Sequence, residues 1–219
     1  MIQRYPQWWI AGGVVAAWAG LAATTLGHAL GPVHHHGFDP VHWTLMCVAM
    51  AVPPNLPAVR HVYANSIRVR RQWASGVYLA AYLAVWLGLG GIAYLVGLVT
   101  ADVPERTVAV AGLGVAAAWQ VTRAKRRAVL ACARTVPLPP AGRRADAACV
   151  RFGLRQGRRC VVSCWPLMLL MGIVAVPLAA MAAAAVLMYA EERTTAGRRL
   201  VGSAVVLFSA AATAIAVFG

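Results

Sequence analysis

Residues 157–171 read GRRCVVSCWPLMLLM, and the reading of this stretch decides the fold. It leaves a dense basic segment and runs straight into a long apolar one. A soluble domain disperses charge over its surface. Here the charges stop where the apolar run begins, and the whole chain repeats that pattern. Its 219 residues are 61% hydrophobic, with 20 Lys and Arg against 6 Asp and Glu. Charged residues make up 12%, about half the share usual in soluble domains. Between the charged blocks lie apolar runs comparable to the roughly 20 residues a membrane-crossing helix needs. The expectation is an all-α, polytopic transmembrane helical bundle, a single membrane domain over residues 1–219.

Six spans are expected, near 7–30, 42–59, 76–100, 107–122, 160–190 and 200–218. Trp8 and Trp9 would anchor the first at the interface. Gly27-His28-Ala29 has the small-x-small form of a cleavage site, but the apolar core before it is longer than a signal peptide's, so the helix is expected to remain. Positive residues collect in cytoplasmic loops. That rule places both termini in the cytoplasm and makes 123–159 a basic cytoplasmic loop. In it, 123–134 is expected to be helical, PLPPAG at 137–142 to end that helix, and 144–159 to lie as a short amphipathic helix on the membrane surface. The run 160–190 is too long for one upright span and is expected to tilt, bend at Pro177 or protrude. The setting is a multi-pass protein of a bacterial plasma (inner) membrane, with the lipid bilayer as partner. A net charge of +14 raises nucleic acid as another partner. The basic segments carry no interleaved aromatic platform, so none is expected.

Sulfur is the chemistry that stands out. At about 100° per residue, Cys160, Cys164, Met168 and Met171 fall on one narrow arc of a helix. His42, Met46 and Met50 are spaced i, i+4, i+8 and form a second stripe, with Cys47 beside it. Thiolate and thioether are soft ligands that select copper(I); Met and Cys also serve as plain apolar filler. The five cysteines, Cys47, Cys132, Cys149, Cys160 and Cys164, are odd in number, which argues against a disulfide framework. His34, His35 and His36 form a secondary metal candidate in the expected outer loop 31–41. Pro53, Pro54 and Pro57 interrupt the second span, either freeing carbonyls inside the membrane or simply ending the helix. The charge rule also sets a conflict: Met46 and Met50 belong to the outer half of their span, while Cys160 and Cys164 start from the inner side.

Several motifs then form a family pattern. WTLMCVAMAVPPNLP resembles W-x-x-M-x-x-A-M-M-x-P-x-x-x-P of a bacterial family of predicted metal-binding integral membrane proteins. Trp43, Met46, Ala49, Met50, Pro53 and Pro57 match, and Ala51 replaces the second Met. Tyr82 and Trp86 resemble its Y-x-x-x-W. Gln120, Thr122, Lys125 and Cys132 resemble Q-x-T-P-L-K-x-x-C-L-x-x-C, with Arg123 for Pro and Ala128 for the first Cys. Cys160, Cys164, Trp165, Leu167 and Met168 resemble C-x-G-C-C-W-x-L-M, with Val162 and Ser163 for Gly and Cys. Met181 and Glu191 correspond to a later Met and Glu. The resemblance implies a metal site drawn from Cys160, Cys164, Met168, Cys132, Met46, Met50 and His42, with copper as the metal. Pro53, Pro57, Trp86 and Trp165 would be structural. The missing Cys at 128 and 163 leaves open a divergent member that kept the fold without the metal.

The expected function is a copper-handling membrane protein acting as binder, carrier or assembly factor. The alternative is a structural or accessory subunit of a larger membrane complex, packed through small-residue faces. A transporter would use the proline-broken second span and Asn55, but no carboxylate lies inside an expected span. No G-x-S-x-G, P-loop or HExxH occurs, so an enzyme is not expected.

Overall fold

The computed structural model describes residues 8–30, 38–193 and 208–211. Among them the chain is helical throughout, without a strand. Helix α1 is Trp8–Leu30, as expected. Pro40–Met46 (α2) starts on an N-cap, Asp39, whose side chain accepts from the Val41 N–H. It passes through a π-helical turn, Cys47–Ala51, into α3, Val52–Asn65. Then come α4, Arg71–Val99, α5, Glu105–Gln120, and α6, Arg123–Cys132. The last two are α7, Arg143–Ile173, and α8, Leu178–Arg193. Two stretches, Trp8–Leu26 and Arg68–Val99, are long and apolar enough to cross a membrane, with mean hydropathies of 1.5 and 1.9. The expected last span falls almost wholly outside the described residues, as do His34, His35 and His36.

The largest departure from expectation concerns α7. No surface helix precedes Cys160. One continuous helix of 31 residues runs from Arg143, through both Gly153 and Cys160, to Ile173. Its first half looks polar because Arg151 and Arg155 are exposed on one face, while Cys149, Phe152 and Gly153 are buried on the other. The run 160–190 is also not one span. It breaks after Ile173 at Val174–Pro177, and α8 turns back to pack on α3, α6 and the π turn. Pro177 lacks an N–H and restricts the residue before it, so the turn falls where the sequence can no longer continue a helix. The turn is pinned by Ala175 N–H donating to Glu105 Oε1 at 2.8 Å. The far end of α8 returns to α6, where Lys125 Nζ meets Glu191 Oε2 at 2.7 Å. Glu191 and Glu192, expected beyond the end of α7's membrane span, therefore sit at the level of Lys125 and Cys160.

Helix α7 is the axis of the molecule, packed most extensively on α4 and also on α5 and α6. The closeness of α4 and α7 has a specific cause. A Cβ on Gly153 would come 2.5 Å from the Tyr78 carbonyl, and one on Gly157 2.9 Å from the Tyr82 carbonyl. These two glycines, four apart and so on one face, let helix backbones touch as in a G-x-x-x-G crossing. At the other end Trp43 inserts between Gly90 and Gly172, which leave no room for a Cβ. The Trp43 indole N–H donates to the Trp86 carbonyl at 3.1 Å.

Prolines within the helical segments are accommodated in two ways. Pro166 cannot donate to the Val162 carbonyl, and the Trp119 indole N–H takes its place at 2.9 Å. Pro53 and Pro54 likewise deprive the Ala49 and Met50 carbonyls of their helical donors. The chain widens into the π turn directly before them, a distortion often found at functional sites. The helix does not end at these prolines; it runs on through Pro57 to Asn65.

Candidate functional site

The π turn brings the site together. Tyr82, two turns along α4 from the chain's entry into the core, is fully buried. Its hydroxyl oxygen stands 2.9 Å from the Ala51 carbonyl and 3.1 Å from Cys160 Sγ. The single hydroxyl proton serves either acceptor. The Cys160 thiol in turn points at Glu192 Oε1, 3.4 Å away. Cys164, one turn later, donates its S–H to the Cys160 carbonyl at 3.1 Å. Cys47 of the π turn lies within electrostatic range of Cys164, and Cys132 of α6 within range of both Cys160 and Cys164. Below Cys160, the Tyr78 hydroxyl donates to Asn55 Oδ1 at 2.8 Å.

Thioethers line the same core. Met46, Met50 and Met168 are wholly buried, and Met171, Met181 and Met188 nearly so. Six of the seven methionines in the chain are thus inside. Met and Cys are flexible, polarizable side chains that pack well, so burial alone would be compatible with filler. The packing around Cys160 differs, because a tyrosine hydroxyl and a carboxylate are buried with it. Burial, with Glu192 and Cys164 nearby, holds the Cys132 thiol above its ordinary range and therefore protonated.

The expected ligands divide. Cys160, Cys164, Cys132 and Met50, from three separate segments, converge on the core, with Met168 one turn beyond Cys164. Met46 lies higher, near Gly172. His42 is half-buried near the start of α2. Its neighbour Trp43 packs on Gly172, twelve residues along α7 from Cys160, about 18 Å of helix. The structure thus separates His42 from the thiols. It also eases the conflict of depth: Cys160 is in the middle of α7, not at its start, and the Tyr82 hydroxyl links it to the π turn. Among the described residues no three His, Cys, Asp or Glu side chains stand close enough together to enclose a metal ion. A copper(I) ion needs no such cage. Two or three soft sulfurs suffice, and thiols with thioethers are what this core offers. All five cysteines are free and buried, in keeping with the odd count.

Trp86 and Trp165 both make aromatic or backbone contacts between helices. Trp86 is fully buried and supplies the carbonyl that holds Trp43; Trp165 stacks edge-on against Trp119, with ring centroids 5.4 Å apart. Thr122 caps α6 by accepting from the Lys125 N–H at 3.2 Å. Lys125 is thereby turned inward to Glu191. Three features had not been anticipated: the Gly153/Gly157 contact, the Glu192 partner of Cys160, and Met188 in the core. The first was visible as a small-x-x-x-small spacing; the other two required knowing that α8 folds back.

The fold and site define a helical protein with a sulfur-rich interior assembled from α3, α4, α6, α7 and α8. A family model described as "PpoB2: Copper chaperone" matches residues 40–215. The chain belongs to this copper chaperone family. No curated protein and no solved structure matches it.

Proposed function

We propose that this protein is a membrane-embedded copper(I) chaperone that holds its cargo on sulfur in the interior of a helical bundle. One observation carries the reading: Cys160 and Cys164 are buried in the core, and on Cys160 are arranged Glu192 and the Tyr82 hydroxyl that also reaches the π-turn carbonyl of Ala51. Filler cysteine needs neither a carboxylate nor a phenol in an apolar interior, where burying such groups is costly. Ligation replaces the thiol proton with copper, and the Cys160 S–H already points at Glu192. Cys160 and Cys164 would be the thiolate ligands, with Met50 or Met168 completing the shell and Cys132 within reach. Family membership supports copper as the cargo.

The membrane setting rests on composition and on the apolar helices, α1 and α4 above all. The hairpin of α7 and α8 revises the expected path. The one span expected over 160–190 would then be two crossings, α7 and α8. The basic residues of α6 and early α7 remain on the cytoplasmic side under the positive-inside rule. As a chaperone the protein would hand copper to another protein of the membrane or its outer face.

The test is metal analysis of full-length protein purified in detergent after exposure to copper under reducing conditions. The wild type retains copper near equimolar amounts, and Cys160→Ser with Cys164→Ser abolishes retention. Wild-type protein free of copper, or unchanged retention in the double variant, rejects the reading.

A further inference from the structure

A cavity of about 10 Å3 opens between α5, α6, α7 and α8, room for about one water-sized guest. Cys164 and Met188 contribute sulfur to its wall; Gln120, Lys125 and Glu191 contribute polar groups. Gln120 and Glu191 are only 4% and 2% exposed, yet Gln120 Oε1 and Glu191 Oε1 have no hydrogen-bond partner. Buried polar atoms are nearly always paired. Both orphans are acceptors, so the guest they lack is a donor or a cation. The other Glu191 oxygen holds the Lys125 ammonium at 2.7 Å. Arg123, Arg126 and Arg127, on the same short helix as Lys125, are exposed, so the polar side of the chamber lies within a turn of solvent.

We propose that this chamber is a second copper(I) station, through which the ion passes between the basic end of the molecule and Cys164. The inference rests on the copper(I) reading above. Glu191 supplies the counter-charge and Lys125 is the cation that the arriving ion displaces. The exchange is one positive charge for another, so the buried carboxylate is never left bare, a state that would be strongly unfavourable. The Met188 thioether selects a soft cation over sodium or potassium and binds without releasing a proton. Passage onward exchanges the Glu191 carboxylate for the Cys164 thiolate; the copper–carboxylate bond breaks, the copper–sulfur bond forms, and the thiol proton goes to bulk water. The oxidation state of copper does not change.

The experiment loads full-length protein in detergent with copper(I) and follows release to the chelator bicinchoninate by stopped-flow absorbance. Gln120→Leu removes the unpaired amide oxygen from the chamber wall and keeps the ion pair; Glu191→Gln keeps the shape and removes the charge. Each is expected to slow release by about tenfold or more, roughly 1.4 kcal/mol of barrier, with the amount of bound copper unchanged. Asp146→Asn, which breaks the Arg70–Asp146 pair elsewhere in the molecule, leaves the rate alone. If Glu191→Gln does not fold with Lys125 unpaired, Gln120→Leu carries the test. Release within about twofold of wild type in the folded variants, while copper is retained, overturns the station alone. Wild-type protein that retains no copper overturns the parent reading and the station with it.

Discussion

Replacing Gly153 with alanine tests why α7 can approach α4 closely enough for Cys160 to meet Tyr82. The new Cβ would sit 2.5 Å from the Tyr78 carbonyl oxygen, 2.9 Å from the Ala81 Cβ and 3.1 Å from the Tyr82 amide nitrogen. Two of these three are backbone atoms, so relief requires a shift of one helix against the other. Overpacking of this kind costs about 1–3 kcal/mol. Against it stands the gain of about 1 kcal/mol from exchanging glycine for alanine inside a helix. Gly88, in the middle of α4, is the matched control, because a Cβ there meets nothing within 4 Å. Gly88→Ala therefore keeps the propensity gain alone. The two variants should differ by the overpacking term, about 1–3 kcal/mol, or roughly 2–12 °C in thermal midpoint for a chain of this size. The assay is thermal unfolding of each purified variant in one detergent, followed by helical circular dichroism. Equal midpoints for Gly153→Ala and Gly88→Ala would refute the claim that bare backbone contact sets the α4–α7 distance. A wider α4–α7 spacing also loosens the 3.1 Å contact of Tyr82 with Cys160, so Gly153→Ala should retain less copper than Gly88→Ala.

Three further outcomes are expected. Tyr78→Phe strips Asn55 Oδ1 of its donor at a buried position where Asn55 Nδ2 already lacks an acceptor; the loss is about 1–3 kcal/mol in the same unfolding assay. Lys125→Ala leaves Glu191 buried without its cation and costs about 3–5 kcal/mol, whereas Lys125→Met with Glu191→Leu restores most of it; a double variant as unstable as the single would show that the pair's worth is not electrostatic. Copper(I) affinity should fall as pH falls, by about tenfold per unit for each thiol that must lose its proton on ligation. The sign follows from burial, which keeps a thiol such as Cys132 protonated, so that protons compete with the ion; a flat profile in competitive titrations between neutral and mildly acidic pH would point to thioether ligands only.

Much of this architecture could be read from the residues, and the parts that could not share one physical cause. Helix α1, the proline-broken second segment, α4 and α5 appear where the apolar runs predict them, because each is bounded by charge or by turn residues. Length and polarity do not reveal where a run of apolar residues folds back on itself. The segment 160–190 therefore read as one long span, although Val174–Pro177 turn it into a hairpin. That one turn carries Met188, Glu191 and Glu192 into the core, and it is why Cys160 had no visible partner in the sequence. The basic half of α7 misled for a different reason. Exposed Arg151 and Arg155 advertise a surface helix, while Gly153 and Gly157 on its other side face the α4 backbone with no room for a Cβ. The sulfur stripe on α7 was legible from spacing. Of the second stripe, Met46 and Met50 are both fully buried, while His42 near the start of α2 is half-buried.

Copper(I) held on sulfur inside the bundle has a direct spectroscopic signature. X-ray absorption at the copper edge, on full-length protein loaded in detergent, addresses it most directly. The expected spectrum has the edge shape of copper(I) and a first shell of sulfur alone, lost in Cys160→Ser with Cys164→Ser. A first shell of nitrogen or oxygen, unchanged in that double variant and removed by replacing His34, His35 and His36, would contradict it.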